Sequence, residues 1–200
     1  MGAKNTHLRP KPKILVFAGP NGSGKSTVKN AMKIIGIYIN ADDIKTQSGC
    51  TDLEAAQEAE SIREFCLESG ADFTFETVLS TNRNLELLRR AKQAGYIIES
   101  VFVLTVNADI NIFRVKSRVL SGGHDVPVDK IRSRYIKSLK NLPELAKLSD
   151  ICTIFDNTTD VPTVIYRKDD TREIIDESSI WSKSMIIDLV YGTEEKDNTV

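Results

Sequence analysis

The sequence predicts an α/β fold, a doubly wound parallel sheet with helices on both faces. Three observations carry this reading. Apolar runs of strand length, such as Lys13–Ala18 (KILVFA) and 97–106, are nearly continuous rather than alternating, the pattern of strands buried on both faces. Along the chain these runs alternate with segments of helical character. A glycine-rich turn, Gly19 to Ser26, lies between the first run and the first helical segment. In sheets of this class ligands collect outside the carboxyl ends of the strands, so the chemistry is expected there.

Composition sets the bounds. The 200 residues carry 27 Lys+Arg against 28 Asp+Glu, a net charge of -1, with 40% hydrophobic and 28% charged residues. A chain of this length supports one domain and buries roughly 70% of its unfolded surface, so it needs no disulfide or metal staple. Disorder as the main state is excluded, and the balanced charge makes nucleic acid an unlikely dedicated partner. Cys50, Cys66 and Cys152 lack CxxC spacing and read as reduced thiols of a cytoplasmic protein. With only His7 and His124, a zinc site of ordinary ligand spacing is not expected. No apolar run reaches the ~18 residues of a membrane helix, so no membrane association is expected.

Taken in order, residues 1–12 are polar with two prolines and read as a flexible leader. One domain is expected over 13–192, followed by a polar tail, 193–200. The first strand, Lys13 to Ala18, feeds the glycine turn and a short helix from Thr27 to Ile35. Tyr38 to Asn40 is a second strand ending in Ala41-Asp42-Asp43. Thr51 with Glu54 three residues on is a capping box, opening a long helix with Ile62, Phe65 and Cys66 as its apolar stripe and Gly70 as its stop. Asp72 to Phe75 is a third strand, leading into Glu76-Thr77. Thr81 or Asn82 opens a helix bearing Leu85, Leu87 and Leu88 before a Gly95 stop. The fourth strand, Ile97 to Val106, is the most apolar, and Asp109 caps a helix through Val119. Ser121 to Val128 (SGGHDVPV) is a loop, followed by a basic helix from Asp129 to Asn141. Ile151 to Phe155 is a fifth strand, and Asp156-Asn157-Thr158 a turn at its end, with bordering the adenine of a bound nucleotide as the alternative role. Thr163 to Tyr166 suggests a sixth strand, and Ser178 to Val190 a last helix in which Trp181 is a packing residue.

Gly19-Pro20-Asn21-Gly22-Ser23-Gly24-Lys25-Ser26 fits the P-loop pattern GxxxxGK[ST] at every fixed position, between a buried strand and a helix as the mechanism requires. Glycines let the backbone N–H groups turn inward as an anion nest, and the helix start adds its positive end. The expected ATP site is Gly19 through Thr27, with Lys25 on the β- and γ-phosphates and the Ser26 hydroxyl on Mg²⁺. The fold expectation sharpens to a P-loop kinase-like three-layer sandwich with a helical lid at about 114–140.

Phosphoryl transfer also needs a base, an acceptor pocket and cations that close on the moving phosphoryl group. Asp42 and Asp43 follow the second strand; one is a candidate base, and a helix N-cap is the alternative role. Glu76 follows the third strand at the same edge and is a candidate for orienting the acceptor, with Thr77 and Ser80 as weaker lining residues. Arg114, Arg118, Arg132 and Arg134 flank the Gly-Gly loop, a plausible lid. Among them Arg114, with Lys137 and Lys140, reads as an exposed basic helix face. His124 in that loop touches phosphate or substrate, or is an exposed loop residue.

The ordered set GPNGSGKST, YINADDI, FTFETVLS and RVLSGGHDVPVDKIRSRY resembles the zeta-toxin-like kinases from about Lys13 to Asn157. The resemblance implies phosphorylation of the 3′-hydroxyl of UDP-N-acetylglucosamine, with ATP (or GTP) and Mg²⁺, and an antitoxin protein as partner. It places the catalytic aspartate on Asp42, the acidic residue after the third strand on Glu76, and the phosphate-contacting arginines on Arg118 and either Arg132 or Arg134. Asn40 stands where many members have Asp, and Lys45 where they have Arg; the GGHDVP loop marks a compact branch. Two other readings stand beside this one. A kinase of a nucleic-acid end or another hydroxyl acceptor would use the basic helix from Lys130 to Lys140. An ATP-dependent interaction module without transfer would use the region from Thr158 onward.

Overall fold

The computed structural model describes residues 10–123, 125–159 and 161–192. His124, most of the expected leader and the expected tail lie outside these. Seven strands form one sheet: β1 (Lys13–Ala18), β2 (Ile37–Ile39), β3 (Phe73–Thr77), β4 (Ile97–Leu104), β5 (Ile151–Asp156), β6 (Thr163–Lys168) and β7 (Glu173–Ile175), in spatial order β2-β3-β1-β4-β5-β6-β7. Strands β1 to β5 pair in parallel, as expected. The last two pair antiparallel. Six residues separate β5 from β6, too few for the crossover that a parallel partner requires. The sequence reading did not include β7, a three-residue strand whose side chains are largely exposed.

Among the described residues seven helices accompany the sheet: α1 (Lys25–Asn30), α2 (Ala41–Ser48), α3 (Asp52–Ser69), α4 (Arg83–Gln93), α5 (Ala108–Leu120), α6 (Val128–Leu148) and α7 (Lys183–Tyr191). Side chains alternate between the faces of each strand. On one face Ile14, Val16, Phe73, Phe75, Ile98 and Phe102 meet α3, α4, α6 and α7, with Trp181 packed into the same core. On the other, Leu15, Phe17, Val101 and Val103 are covered by Val28 of α1 and by Met32, Ile34 and Ile35 beyond it. Cys66 and Cys152 are buried here and Cys50 is half-buried, all three unpaired.

Local chemistry explains where elements start and stop. Thr51 and Glu54 form the reciprocal capping box that opens α3. α1 ends at Asn30 rather than Ile35 because Ile35 leaves the helix to bond the strands: its N–H donates to Thr74 Oγ1 at 3.0 Å, and Thr74 Oγ1 donates back to its carbonyl at 2.7 Å. α5 is capped by Asn107, not Asp109; Asn107 Oδ1 accepts from the N–H groups of Asp109 and Ile110. α6 continues past Asn141, through Pro143, to Leu148. Burial of Leu142, Leu145 and Ala146 outweighs the hydrogen bond lost at the proline. α2 was not expected: none of its residues is buried, so it carries no apolar stripe to read.

One edge of the sheet gathers the functional segments. Register sets Ala18 at the end of β1 beside Thr77, the last residue of β3, and Phe102 of β4, so the phosphate loop emerges level with the end of β3 and beside β4, which runs on to Leu104. α5, α6 and the segment between them hold a small core of their own, Ile112, Val115, Val126 and Ile131.

Candidate functional site

The phosphate loop is fitted to its neighbours. Gly22 has φ +78° and Gly24 φ +93°, left-handed conformations that favour glycine. A Cβ at Gly22 would stand 2.5 Å from the Asn111 carbonyl, and one at Gly24 would overlap the Asn157 amide. The Gly19 N–H donates to the Thr77 carbonyl at 3.2 Å, tying the loop to β3. Lys25 Nζ donates to the carbonyls of Gly19 at 2.8 Å and Pro20 at 3.2 Å, folding back across its own loop. Burial pushes its ammonium down to about 8, opposed by the charges of Glu76 and Asp42, while Arg118 adds to the depression. Ser23 Oγ is buried with no hydrogen-bond partner among the described residues.

A cleft of about 580 Å³ opens over the sheet edge. Asn21, Gly22, Gly24, Lys25 and Ser26 line it; Gly19, Pro20, Ser23 and Thr27 build the loop without lining the cleft. Asp42 also lines it, held in the first turn of α2 where its N–H donates to Asn40 Oδ1 at 3.1 Å. The capping role thus belongs to Asn40, leaving the Asp42 carboxylate out of it. Asp43, one step around the helix, is not among the lining residues.

Glu76 lines the cleft with a side chain only 10% exposed. The Tyr38 hydroxyl donates to its Oε1, and Lys29 Nζ lies 3.2 Å from the same oxygen. Lys29 also donates to the Tyr38 hydroxyl at 2.8 Å. Both contacts fall on Oε1, and the second carboxylate oxygen has no hydrogen-bond partner among the described residues. Burial and the Glu76 hydrogen bond push the Tyr38 phenol up to about 12. Thr77 lines the cleft, but its hydroxyl is engaged: it accepts from the Leu79 N–H at 2.9 Å and from Asn84 Nδ2 at 2.8 Å. This braces Leu79 at φ +57°, the one non-glycine residue with positive φ among those described.

The arginines divide. Arg118 and Arg134 line the cleft, and Arg134 Nη1 donates to Asn21 Oδ1 of the phosphate loop at 3.2 Å. Arg132 points elsewhere, paired with Asp109 at 2.6 Å on an exposed surface. One helical turn separates neighbours on a face, and residues two apart diverge. Arg114, expected on an exposed face, is half-buried and lines the cleft. Its Nη1 donates to the Asn157 carbonyl at 2.7 Å and its Nη2 to the Thr159 carbonyl at 3.2 Å. The turn after β5 is therefore part of the site: Asn157 Nδ2 donates to the Ser23 carbonyl at 2.8 Å.

A wall of the cleft that the sequence reading missed comes from α3. Ala55, Ala59 and Arg63 lie four residues apart on one face and all line the cleft. Arg63 is 9% exposed, with its guanidinium over the Phe75 ring at 5.4 Å. The four-residue spacing was legible, but an arginine there reads as solvated without the fold.

This donor set fits a nucleoside triphosphate with a divalent cation. The loop supplies an anion nest and Lys25, Ser23 is a buried unpartnered hydroxyl, and the Ser26 hydroxyl faces the cleft without a protein partner among the described residues. The carboxylates of Asp42 in α2 and Glu76 in β3 line the same cleft as the loop, with Asp52 at the start of α3.

Comparison with known proteins points the same way. The family model described as Zeta toxin matches residues 34–179. An uncharacterised protein of Haemophilus influenzae is 30% identical over 129 residues, covering 62% of this chain and 92% of that protein. Among solved structures, a chain of the PezAT chromosomal toxin–antitoxin system of Streptococcus pneumoniae aligns with TM-score 0.59 at 15% identity, over 94% of this chain and 82% of that one. A chain of the AvrRxo1-ORF1:-ORF2 complex with ATP aligns with TM-score 0.65 at 15% identity, over 82% of this chain and 60% of that one. At such identity these two likenesses show the fold.

Proposed function

The chain belongs to the zeta toxin family, and on that premise we propose that it is an ATP-dependent kinase acting on a hydroxyl of a nucleotide sugar such as UDP-N-acetylglucosamine. One observation carries the reading: the phosphate loop and the carboxyl-bearing Asp42 and Glu76 line a single cleft.

The roles follow from placement. The loop amides and Lys25 hold the phosphates, and Ser26 holds Mg²⁺, which when bound neutralises charge on the phosphate oxygens. The free oxygen of Glu76 orients the acceptor. Asp42 takes the proton of the acceptor hydroxyl as its oxygen forms a bond to the γ-phosphorus, while the bond from that phosphorus to the bridging oxygen breaks and ADP leaves. Arg118 and Arg134 stabilise the transferring phosphoryl group. Arg132, held by Asp109, has no part in this scheme. An antitoxin-like protein is the proposed partner, and the cytoplasm the proposed compartment.

The test is transfer of label from γ-³²P-ATP, with Mg²⁺, to UDP-N-acetylglucosamine, other nucleotide sugars, free sugars and 5′-hydroxyl oligonucleotides, using Lys25→Ala as blank. Labelled nucleotide sugar is the expected product. Label on an oligonucleotide alone would move the protein to polynucleotide chemistry, and ATP binding without transfer to any acceptor would favour a nucleotide-gated interaction module.

A further inference from the structure

The α3 wall of the cleft holds a cation that nothing in the scheme above uses. Arg63 is 9% exposed and lines the cleft, yet its guanidinium makes no hydrogen bond or ion pair among the described residues. The carboxylates nearest to it along α3 are already taken. Glu60 pairs with Arg83 at 2.8 Å, and Glu64 pairs with Arg90 at 2.5 Å, both arginines of α4. A buried arginine without an anion is costly, since its donors lose water and gain no acceptor. What compensates it is the face of Phe75 and the charges of Glu60 and Glu64 acting through space, neither of which fills a donor position. The ring contact fixes the plane of the guanidinium and leaves its edge donors unspent.

The surroundings indicate what the donors are for. Sheet order puts α3 over the β2–β3 end, away from Arg114, Arg118 and Arg134, which approach the phosphate loop from α5 and α6. Ala55 and Ala59 precede Arg63 on the same face and, though buried, line the cleft with methyl side chains only, so no charge or hydrogen-bonding group of theirs competes with the guanidinium there. A fork of donors on a rigid platform matches a phosphate or diphosphate oxygen pair in two-point geometry.

We propose that Arg63 binds an anionic phosphate of the acceptor, so that this site takes small phosphorylated hydroxyl compounds and discriminates against their neutral counterparts. The proposal rests on the kinase reading for the identity of the acceptor half, but it is a statement about binding and is tested without transfer.

The experiment loads the protein with Mg²⁺ and the non-hydrolysable analogue AMP-PNP, occupying the phosphate loop, and then titrates a second ligand by calorimetry. UDP-N-acetylglucosamine, UMP and glucose 1-phosphate are the charged probes; N-acetylglucosamine, uridine and glucose are the neutral ones. The expected result is binding of at least one charged probe, weakened by about 10- to 100-fold in Arg63→Met. Arg63→Lys should retain part of it, and neutral probes should bind equally to all three proteins. AMP-PNP affinity and the thermal midpoint report whether each variant is folded. Equal loss of charged and neutral probes, unchanged binding in Arg63→Met, or no charged probe bound by the wild type would overturn the proposal. So would an oligonucleotide as the only ligand sensitive to Arg63. Charge-selective binding lost with Arg63, but no label transfer to any bound probe, would instead sink the kinase reading and leave the anion site standing.

Discussion

The side-chain amide of Asn157 donates to the backbone carbonyl of Ser23 at 2.8 Å, joining the end of β5 to the middle of the phosphate loop. The contact is buried, with Asn157 only 5% exposed, and Arg114 holds the Asn157 carbonyl from behind. Asn157→Ala would leave the Ser23 carbonyl without its partner, at a cost of about 1–3 kcal/mol. The expected outcome is a lower thermal midpoint and ATP affinity weakened by about 5- to 100-fold, read by unfolding and by nucleotide titration. Unchanged affinity would mean that the loop holds its shape without this brace.

Lys25 predicts the pH dependence of nucleotide binding. In the free protein burial pushes it down to about 8. Bound triphosphate favours the ammonium, so binding takes up a proton above that value. ATP affinity should be full below about pH 8 and fall as pH rises beyond it. For stability the sign is opposite: because the folded value lies below the ordinary 10.5, the free protein carries a penalty below pH 8 that is relieved as pH rises toward 10.5. Lys25→Met should therefore raise the free protein's thermal midpoint at pH 7, abolish ATP binding, and lose its stability advantage across that window. Calorimetry in buffers of different ionisation enthalpy checks the proton uptake.

The two adjacent aspartates should separate cleanly. Asp42→Asn keeps the side-chain volume and the backbone contact to Asn40, so ATP affinity should hold while turnover falls by about 10²–10⁴. Asp43→Asn, outside the cleft lining, should change turnover by less than about twofold. Single-turnover kinetics on both variants decides the base.

The arginines of α6 make a matched pair. Arg134→Ala removes a group beside the phosphate loop and should lower turnover by about 10³ or more. Arg132→Ala breaks only an exposed ion pair with Asp109 and should cost less than about 1 kcal/mol of stability, with turnover retained. Reversal of this order would place the closed lid one helical step from the arrangement described above.

Tyr38 is expected to act through Glu76. Tyr38→Phe removes the hydroxyl that engages Oε1, leaving Lys29 as the remaining contact on that oxygen. The acceptor KM should rise several-fold while the ATP KM stays put. A change confined to the ATP KM would reassign the network to the nucleotide.

How much of this was legible in the sequence depends on the range of the interaction. The phosphate loop, the capping box of α3 and the parallel strands rest on local spacing and on runs of apolar side chains, which one stretch of chain displays by itself. α2 escaped because it fully buries no residue and only Ala41 and Ile44 touch the core, and β7 because it has three residues and a partner supplied by a hairpin. The base could be narrowed to Asp42 or Asp43 by strand position and to Asp42 by resemblance, while only the packed structure shows which of the two carboxylates lines the cleft.

By itself the sequence determined the class of fold, the phosphate-binding loop and the edge of the sheet where chemistry gathers, because each depends on residues close in the chain. Tertiary structure alone decided the rest. It gave Arg134 and not Arg132 to the cleft, turned Arg114 and Asn157 into braces of the loop, and left Arg63 buried without a hydrogen-bond or ion-pair partner among the described residues. Those outcomes turn on which partner reaches a charged group first across tens of residues, and on which face of a helix the sheet covers. A charge in sequence has no such partner until the chain has packed.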